Sequence, residues 1–478
     1  MSMKKSMKFL VAALALAALS TPAFALEHEV SGRFASFFAV SNYSTPNDFN
    51  GRLDKDASTT NWFDQRLRLG YIAKANENVK LVTKFELDYA FWGNSALTNG
   101  RGQGGGIGAD AVNLETKNIY LDWTASNCNT KIGMQSYDDA FSGIIFSTDM
   151  AGILLTHKYS NATASAGFFR WNDSAGKGLF GINKETGLPG RNSQDLFVLD
   201  GKYNISKDVK VGAAYYYIQD DTNVPETTTT TIATGAVPIG FTADGTPIYD
   251  FADATSTTTP GGGRDAKVHT IGFNAATSLG AVNINGFVLG QFGDYNTKED
   301  AKGYAAKLAA NTAVGTGTLR LDALYVAGGK NQLYITRDKN GYYDNEMMIL
   351  SRDKNQTTID NAVVYDVNNN GEGVIMAAIG FDQPFSPTLT GSANVGFAMV
   401  ANNEAANVNI STNMFGDPFS PVSADDDTLG TEVNVELVKK ATDNVTLSAR
   451  AAYLFIGDHY TGNPDNPYAV QTMVSYKF

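Results

Sequence analysis

Arg33, Arg66, Arg68, Lys84 and Arg450 fall at alternate positions of extended-looking segments, and Asp138, Asp139 and Asp149 flank a short apolar run from Phe141 to Phe146. Set across a water-filled space, a basic row and an acidic row create a transverse field that orders water and slows apolar solutes by desolvation. Covalent chemistry has less to stand on. His157, Ser160 and Asn161 offer the residue types of a hydrolase, but Ser160 and Asn161 occupy the tight turn that ends the segment holding His157. A nucleophile must lie within hydrogen-bond reach of its base, so no enzyme is expected. The Gly-rich run 100–108 precedes no Gly-Lys-Ser/Thr and opens no helix, which excludes a phosphate loop. Cys128 is the only cysteine and the four histidines are scattered. An intramolecular disulfide, a Cys-rich zinc site, a Cys-x-x-Cys redox pair and a multihaem chain are excluded together. Asp366, Asn368 and Asn370 copy the first half of a calcium loop, but its twelfth position is Ala377 where a bidentate carboxylate should stand. Ordinary turn chemistry explains those residues better, and no cofactor or resident metal is expected.

The charged rows need elements that hold them on one face, and periodicity supplies these. From Val79 to Trp92 the odd positions are Val, Leu, Thr, Phe, Leu, Tyr and Phe, while the even ones carry Lys80, Lys84, Glu86 and Asp88. A period of two over more than ten residues is a strand, long enough to cross a bilayer when tilted. The same alternation returns at Val209–Tyr217, Leu319–Tyr325, Leu389–Met399 and Val445–Phe455. Short breaks alternate with long polar segments, of which 221–265 and 329–372 are the longest. That alternation predicts an all-β fold: one closed antiparallel transmembrane barrel of about 18 strands, with short turns on the periplasmic side and long loops outside. Segments 302–311 and 373–381 are weakly patterned, which leaves 16 strands open. The parity places Arg33, Arg66, Arg68, Lys84 and Arg450 inside. The third loop, 136–150, is too apolar to float in water and is expected to fold into the lumen, bringing Asp138, Asp139 and Asp149 against the basic wall as a pore constriction.

The ends of the chain fit export. Lys4, Lys5 and Lys8 precede an apolar run from Phe9 to Leu19, and Ala23-Phe24-Ala25 has the small-x-small pattern of a cleavage site. Residues 1–25 read as a cleaved Sec signal peptide and 26–478 as a single barrel domain. The final strand carries Tyr468, Val470, Thr472, Val474, Tyr476 and terminal Phe478 on one face, which resembles the signal that hands outer-membrane barrels to the barrel-assembly machinery. A net charge of -12 argues against nucleic acid. Acidic outer loops would meet lipopolysaccharide through divalent ions.

A longer string carries a family resemblance: Phe91-Trp92-Gly93, Gly104 to Val112, Lys117-Asn118-Ile119-Tyr120-Leu121-Asp122-Trp123, Lys131-Ile132-Gly133-Met134-Gln135 and Asp149-Met150-Ala151-Gly152-Ile153. Covering about 90–155, it resembles the homotrimeric porins of sulfate- and metal-reducing bacteria. The resemblance implies a Gram-negative outer-membrane general porin, three separate pores and an internal third loop. Loops 221–265 and 329–372 depart from that pattern. The leading expectation is passive diffusion of small hydrophilic solutes and ions through a water-filled channel. One alternative is a substrate-specific channel lined by aromatics such as Tyr215, Tyr216 and Tyr217. Another is a structural barrel sheathing a partner protein.

Overall fold

The computed structural model describes residues 26–44, 53–88, 90–93, 114–173, 193–224, 265–335, 343–354, 361–403, 422–423 and 425–478, with short pieces between 227 and 263. Residues 1–25, read above as the export signal, lie outside the described residues, as do 94–113 with the Gly-rich part of the family string.

Eighteen strands form one sheet that closes on itself. In chain order they are β1 (Glu27–Ser41), β2 (Thr60–Asn76), β3 (Val79–Leu87), β4 (Glu115–Ala125), β5 (Cys128–Asp138) and β6 (Ser147–Lys158). There follow β7 (Ala162–Asp173), β8 (Ser193–Asn204), β9 (Val209–Asp220), β10 (Ala266–Leu279), β11 (Val282–Asp294) and β12 (Tyr304–Val314). The last six are β13 (Gly317–Val326), β14 (Val374–Ser386), β15 (Leu389–Met399), β16 (Thr428–Lys440), β17 (Val445–Ile456) and β18 (Tyr468–Lys477). Each pairs antiparallel with its chain neighbours, and β1 pairs with β18 from Arg33 opposite Lys477 to Ser41 opposite Ala469. Gly32 N donates to Phe478 O at 2.9 Å and Phe478 N to Gly32 O at 3.1 Å, which fastens the seam. A side chain at Gly32 would strike the Phe478 ring.

The count of eighteen settles the strand number, and the two weakly patterned segments are full strands, β12 and β14. Their weak pattern has a cause. On β14 the inward residues Val374 and Met376 are apolar and buried under loop residues, so the polar half of the alternation is missing. On β12 Ala305, Ala306, Ala309 and Ala310 blur both faces.

Elsewhere the alternation is plain. Val288 and Phe292 of β11 are exposed on the outer face, while Phe287, Leu289 and Gln291 at the alternate positions are buried. An aromatic row runs across five strands near their long-loop ends: Phe168 to Phe197 at 5.0 Å, Phe197 to Tyr217 at 6.0 Å, Tyr217 to His269 at 4.8 Å and His269 to Phe292 at 4.9 Å. At the opposite rim lie Tyr203, Phe385 and the stacked pair Tyr476 and Phe478. An outward apolar band between two aromatic girdles is the surface a bilayer requires of a barrel. No helix among the described residues is long and apolar enough to cross a membrane.

The apolar core is unusual in its place. Its fully buried residues include Phe141, Ile144, Ile145 and Phe146 from the β5–β6 loop, and Leu333, Met347, Ile349 and Leu350 from the β13–β14 loop. Both loops pack against the inner face of the strands.

Candidate functional site: a lumen narrowed by two inward loops

The third loop, residues 139–146, is folded around one carboxylate. Asp139 Oδ1 accepts the backbone N–H of Phe141 (2.7 Å) and Gly143 (2.8 Å), and Oδ2 accepts those of Ile145 (2.6 Å) and Phe146 (2.8 Å). Burial raises its carboxyl to about 6, and these four bonds, all made to the carboxylate oxygens, oppose that rise by favouring the charged form. The apolar side chains then face the wall. Phe141 and Phe146 pack edge-on to Tyr216 of β9, Phe146 against Trp171, and Phe141 against Phe287 of β11. Gly272 makes room, because a Cβ there would lie 2.6 Å from the Phe141 ring. Tyr216 OH donates to Asp200 at 2.9 Å, the Ala140 N–H donates back to that hydroxyl at 2.7 Å, and Asn274 Nδ2 reaches Ala140 O at 3.2 Å.

The second inward loop is the long connection from β13 to β14. Its first part is held by Gln291 of β11, whose amide accepts from Tyr334 N (2.6 Å) and donates to Tyr334 O (3.1 Å), as a strand would. Tyr334 OH then donates to Asp220 at 2.7 Å. Its middle part, 343–354, lies over β13 to β17. Glu432 of β16, fully buried, accepts three consecutive N–H groups: Met348 at 2.8 Å, Ile349 at 2.9 Å and Leu350 at 2.7 Å. Asn434 bridges Glu432 Oε1 (2.8 Å) and Glu346 O (2.9 Å), and Asn394 donates to Asn434 at 2.8 Å. Gly396 lies under Met347, where any Cβ would overlap the sulfur. Arg320 of β13 pairs with Glu346 (2.8 Å) and Asp382 (2.7 Å), and Arg450 of β17 pairs with Asp353 (2.5 Å). Tyr343 donates to Asp322, and burial pushes its hydroxyl pKa upward. Lys307 of β12 stands where the two loops meet, 3.4 Å from Ser142 Oγ and 4.8 Å above the Tyr343 ring.

The residues singled out from the sequence divide into groups. Arg66 and Arg68 both meet Glu86 of β3, Arg68 at 2.7 Å, and Arg66 also lies 3.3 Å from Asp88. Lys117 joins Glu86 (2.9 Å) to Asp149 (3.1 Å), so Asp149 is linked to the basic wall through a lysine. Asp149 also accepts from Asn118 at 2.8 Å. Arg33 donates to Ser475 across the seam at 3.0 Å, and Lys84 is exposed. Arg450, on β17, lies across the seam from them and is tied to the second loop. Asp138, at the end of β5, is exposed and accepts from Ser147 Oγ at 2.7 Å. Asp139 is turned into its own loop and presents no charge to the lumen. The acidic side is built instead by Glu346 and Asp353 of the second loop and by wall carboxylates Glu86, Asp88, Asp322 and Asp382.

Of the tyrosines weighed as lumen aromatics, only Tyr216 points inward, and the third loop covers it. Tyr215 and Tyr217 share the outward face, where both stack with His269. Asp366 Oδ1 accepts the N–H of Asn368 (2.9 Å) and Asn369 (3.1 Å) in a capped turn, and burial raises its carboxyl to about 6. Asn368 donates to Gln332 at 3.2 Å; the Asn370 side chain lies outside the described residues. Among the described residues no group of three or more His, Cys, Asp or Glu is placed to hold a metal ion.

Sequence reasoning missed Glu346, Asp353, Arg320, Lys307 and Glu432. One signal was available: Met347 to Leu350 is an apolar run inside a polar loop flanked by Glu346 and Arg352, the same signature that marked the third loop.

No protein-family model matches the chain, and no curated protein matches it. Solved structures do. It is similar to OccK2 (OpdF) of Pseudomonas aeruginosa, at 12% identity and TM-score 0.52, covering 95% of this chain and 98% of that one. It is similar to OpdO of the same organism, at 10% identity and TM-score 0.52, covering 95% and 97%. OpdK, solved with vanillate, gives 10% identity and TM-score 0.51, covering 95% and 98%. At these identities the likeness shows the fold: a closed 18-stranded antiparallel barrel.

Proposed function

We propose that the mature chain is an outer-membrane channel for small hydrophilic solutes, and that it selects among them. The observation that carries selection is the lumen itself, where two inward loops are each fixed by a buried carboxylate, Asp139 and Glu432. A general pore needs one narrowing; two rigid ones contoured by paired charges favour discrimination by shape and charge. Free diffusion of any small solute is therefore the weaker reading. The solute class to test first is small organic anions. Arg33, Arg68 and Lys84 line a sector of wall, and similar P. aeruginosa structures were solved with vanillate and with glucuronate.

The setting belongs to the same proposal. Export through residues 1–25, insertion by the assembly machinery through the strand ending at Phe478, and a homotrimer among lipopolysaccharide are supported by the residue patterns and the family resemblance. The mass of the detergent-solubilised protein tests the trimer. Planar-bilayer recording tests the channel: stepwise conductance is expected, with saturation and block by one small anion and little response to a neutral sugar of equal size. Absence of stepwise conductance would refute the channel, and equal passage of all solutes below one size would refute selection.

A further inference from the structure

The sequence points to the third loop as the element that sets the charge and width of the passage; in the structure a second element has the better claim. Segment 343–354 carries Glu346, Asp353 and Lys354 into the lumen. Ion pairs and apolar contacts hold it to the wall, but its backbone bonds meet at one side chain. Three consecutive N–H groups converge on Glu432, whose side chain is fully buried on the inner face. A buried carboxylate that lacked those donors would be far from water and uncompensated. Its partners are equally specific: Asn434 fixes both Glu432 and the Glu346 carbonyl, and Gly396 leaves the hollow that Met347 fills.

We infer that Glu432 is the positioning residue of the constriction: it seats segment 343–354 in the lumen, and the Glu346 and Asp353 carboxylates of that seated segment set pore width and ion preference. The inference rests on the channel reading above. It does not require Glu432 to touch a solute. The groups that do are Glu346, paired with Arg320, and Asp353, paired with Arg450. Unseating the segment removes both carboxylates from the passage and leaves the two arginines behind, so width and selectivity change together.

The test uses full-length protein, refolded or inserted, with Glu432→Ala and Gly396→Leu. The second variant intrudes on Met347 from the position paired with Glu432 while leaving the carboxylate itself in the sequence, and so covers failure of the first to assemble. Hydrogen exchange of 343–354 and single-channel recording are measured on both. Seating by Glu432 predicts lost protection over 343–354 with strand protection retained. It also predicts raised conductance, admission of solutes the wild type excludes, and a reversal potential shifted towards anions. Unchanged protection of 343–354 in an assembled Glu432→Ala barrel would overturn the inference, whether or not the wild type conducts. Lost protection with wild-type conductance and reversal potential would also overturn it, by removing the segment from the passage. A silent wild type with lost protection in the variants would keep the seating role and count against the channel reading instead.

Discussion

Replacement of Asp139 separates a loop held by its backbone from one held by its apolar side chains. Each oxygen of Asp139 accepts two N–H groups. In Asp139→Asn one oxygen becomes an NH2 that faces two donors, so two buried N–H groups lose their acceptor. At about 1–3 kcal/mol for each orphaned group the loss is ~2–6 kcal/mol. Opposing release are Phe141, Ile144, Ile145 and Phe146, all fully buried. Exposing them costs about 1.5–3 kcal/mol apiece, or ~6–12 kcal/mol together. The asparagine variant should therefore stay seated but open more often, by about 30-fold if the smallest loss of ~2 kcal/mol applies. Asp139→Ala orphans all four groups, ~4–12 kcal/mol, which rivals the apolar hold, and should free the loop. Single-channel traces are expected to be noisier for Asn and of higher conductance for Ala, with protection of 141–146 against hydrogen exchange lowered in that order. Wild-type conductance and protection in both variants would show that the carboxylate does not hold the loop.

Three further outcomes follow from the charges. His459 is buried with Nε2 3.4 Å from Glu372 and Nδ1 2.8 Å from the Asp426 carbonyl, so both ring nitrogens face acceptors. Burial lowers its pKa, but Glu372, the Asp426 carbonyl and the charge of Asp427 outweigh it and the net shift is upward from 6.5. This pair therefore steadies the loops around 372, 426 and 459 fully below that ordinary value, and loses its contribution as pH rises through the raised one. The protection factors of those segments, corrected for the intrinsic base catalysis of exchange, should fall on the alkaline side in wild type and show no such step in His459→Gln. Arg450→Met removes one half of a buried pair, a change that costs about 3–5 kcal/mol when the other half stays buried. The expected result is looser exchange over 343–354, and identical exchange would exclude the pair as a tether. Lys117→Met takes the shared cation from Glu86 and Asp149. Reversal potential under a salt gradient should move towards cations, and a value equal to wild type would place that cluster off the ion path.

Most of the architecture was legible because a barrel wall repeats one rule. Leu319, Leu321 and Tyr325 face one way and Arg320, Asp322 and Leu324 the other, and this alternation needs no tertiary information. The rule weakened at β14, where the inner face is covered by protein and Val374 and Met376 replace polar residues. The site was less legible for the same reason. Parity places Arg66 and Arg68 on the inside, but which carboxylates face them depends on how the loops fold back. Asp139 has the composition of a lumen charge and the geometry of a turn organiser. Glu432 has the parity of a lumen charge, and its role depends on a segment more than eighty residues earlier, which no local pattern connects to it.

The seam between β1 and β18 has a mechanical consequence. The strand that closes the ring is the last of the eighteen to be synthesised, and it covers β1 from Arg33 to Ser41 only, whereas β2 pairs with β1 from Glu27 onward. The start of β1 and the end of β18 sit side by side at one rim, joined by the reciprocal bonds of Gly32 and Phe478. Tension applied between the ends therefore loads those two bonds before any others and peels the seam one pair at a time, rather than shearing a whole strand. A pulling experiment on the two ends should register a low, progressive force, set by the first residue pairs at that rim.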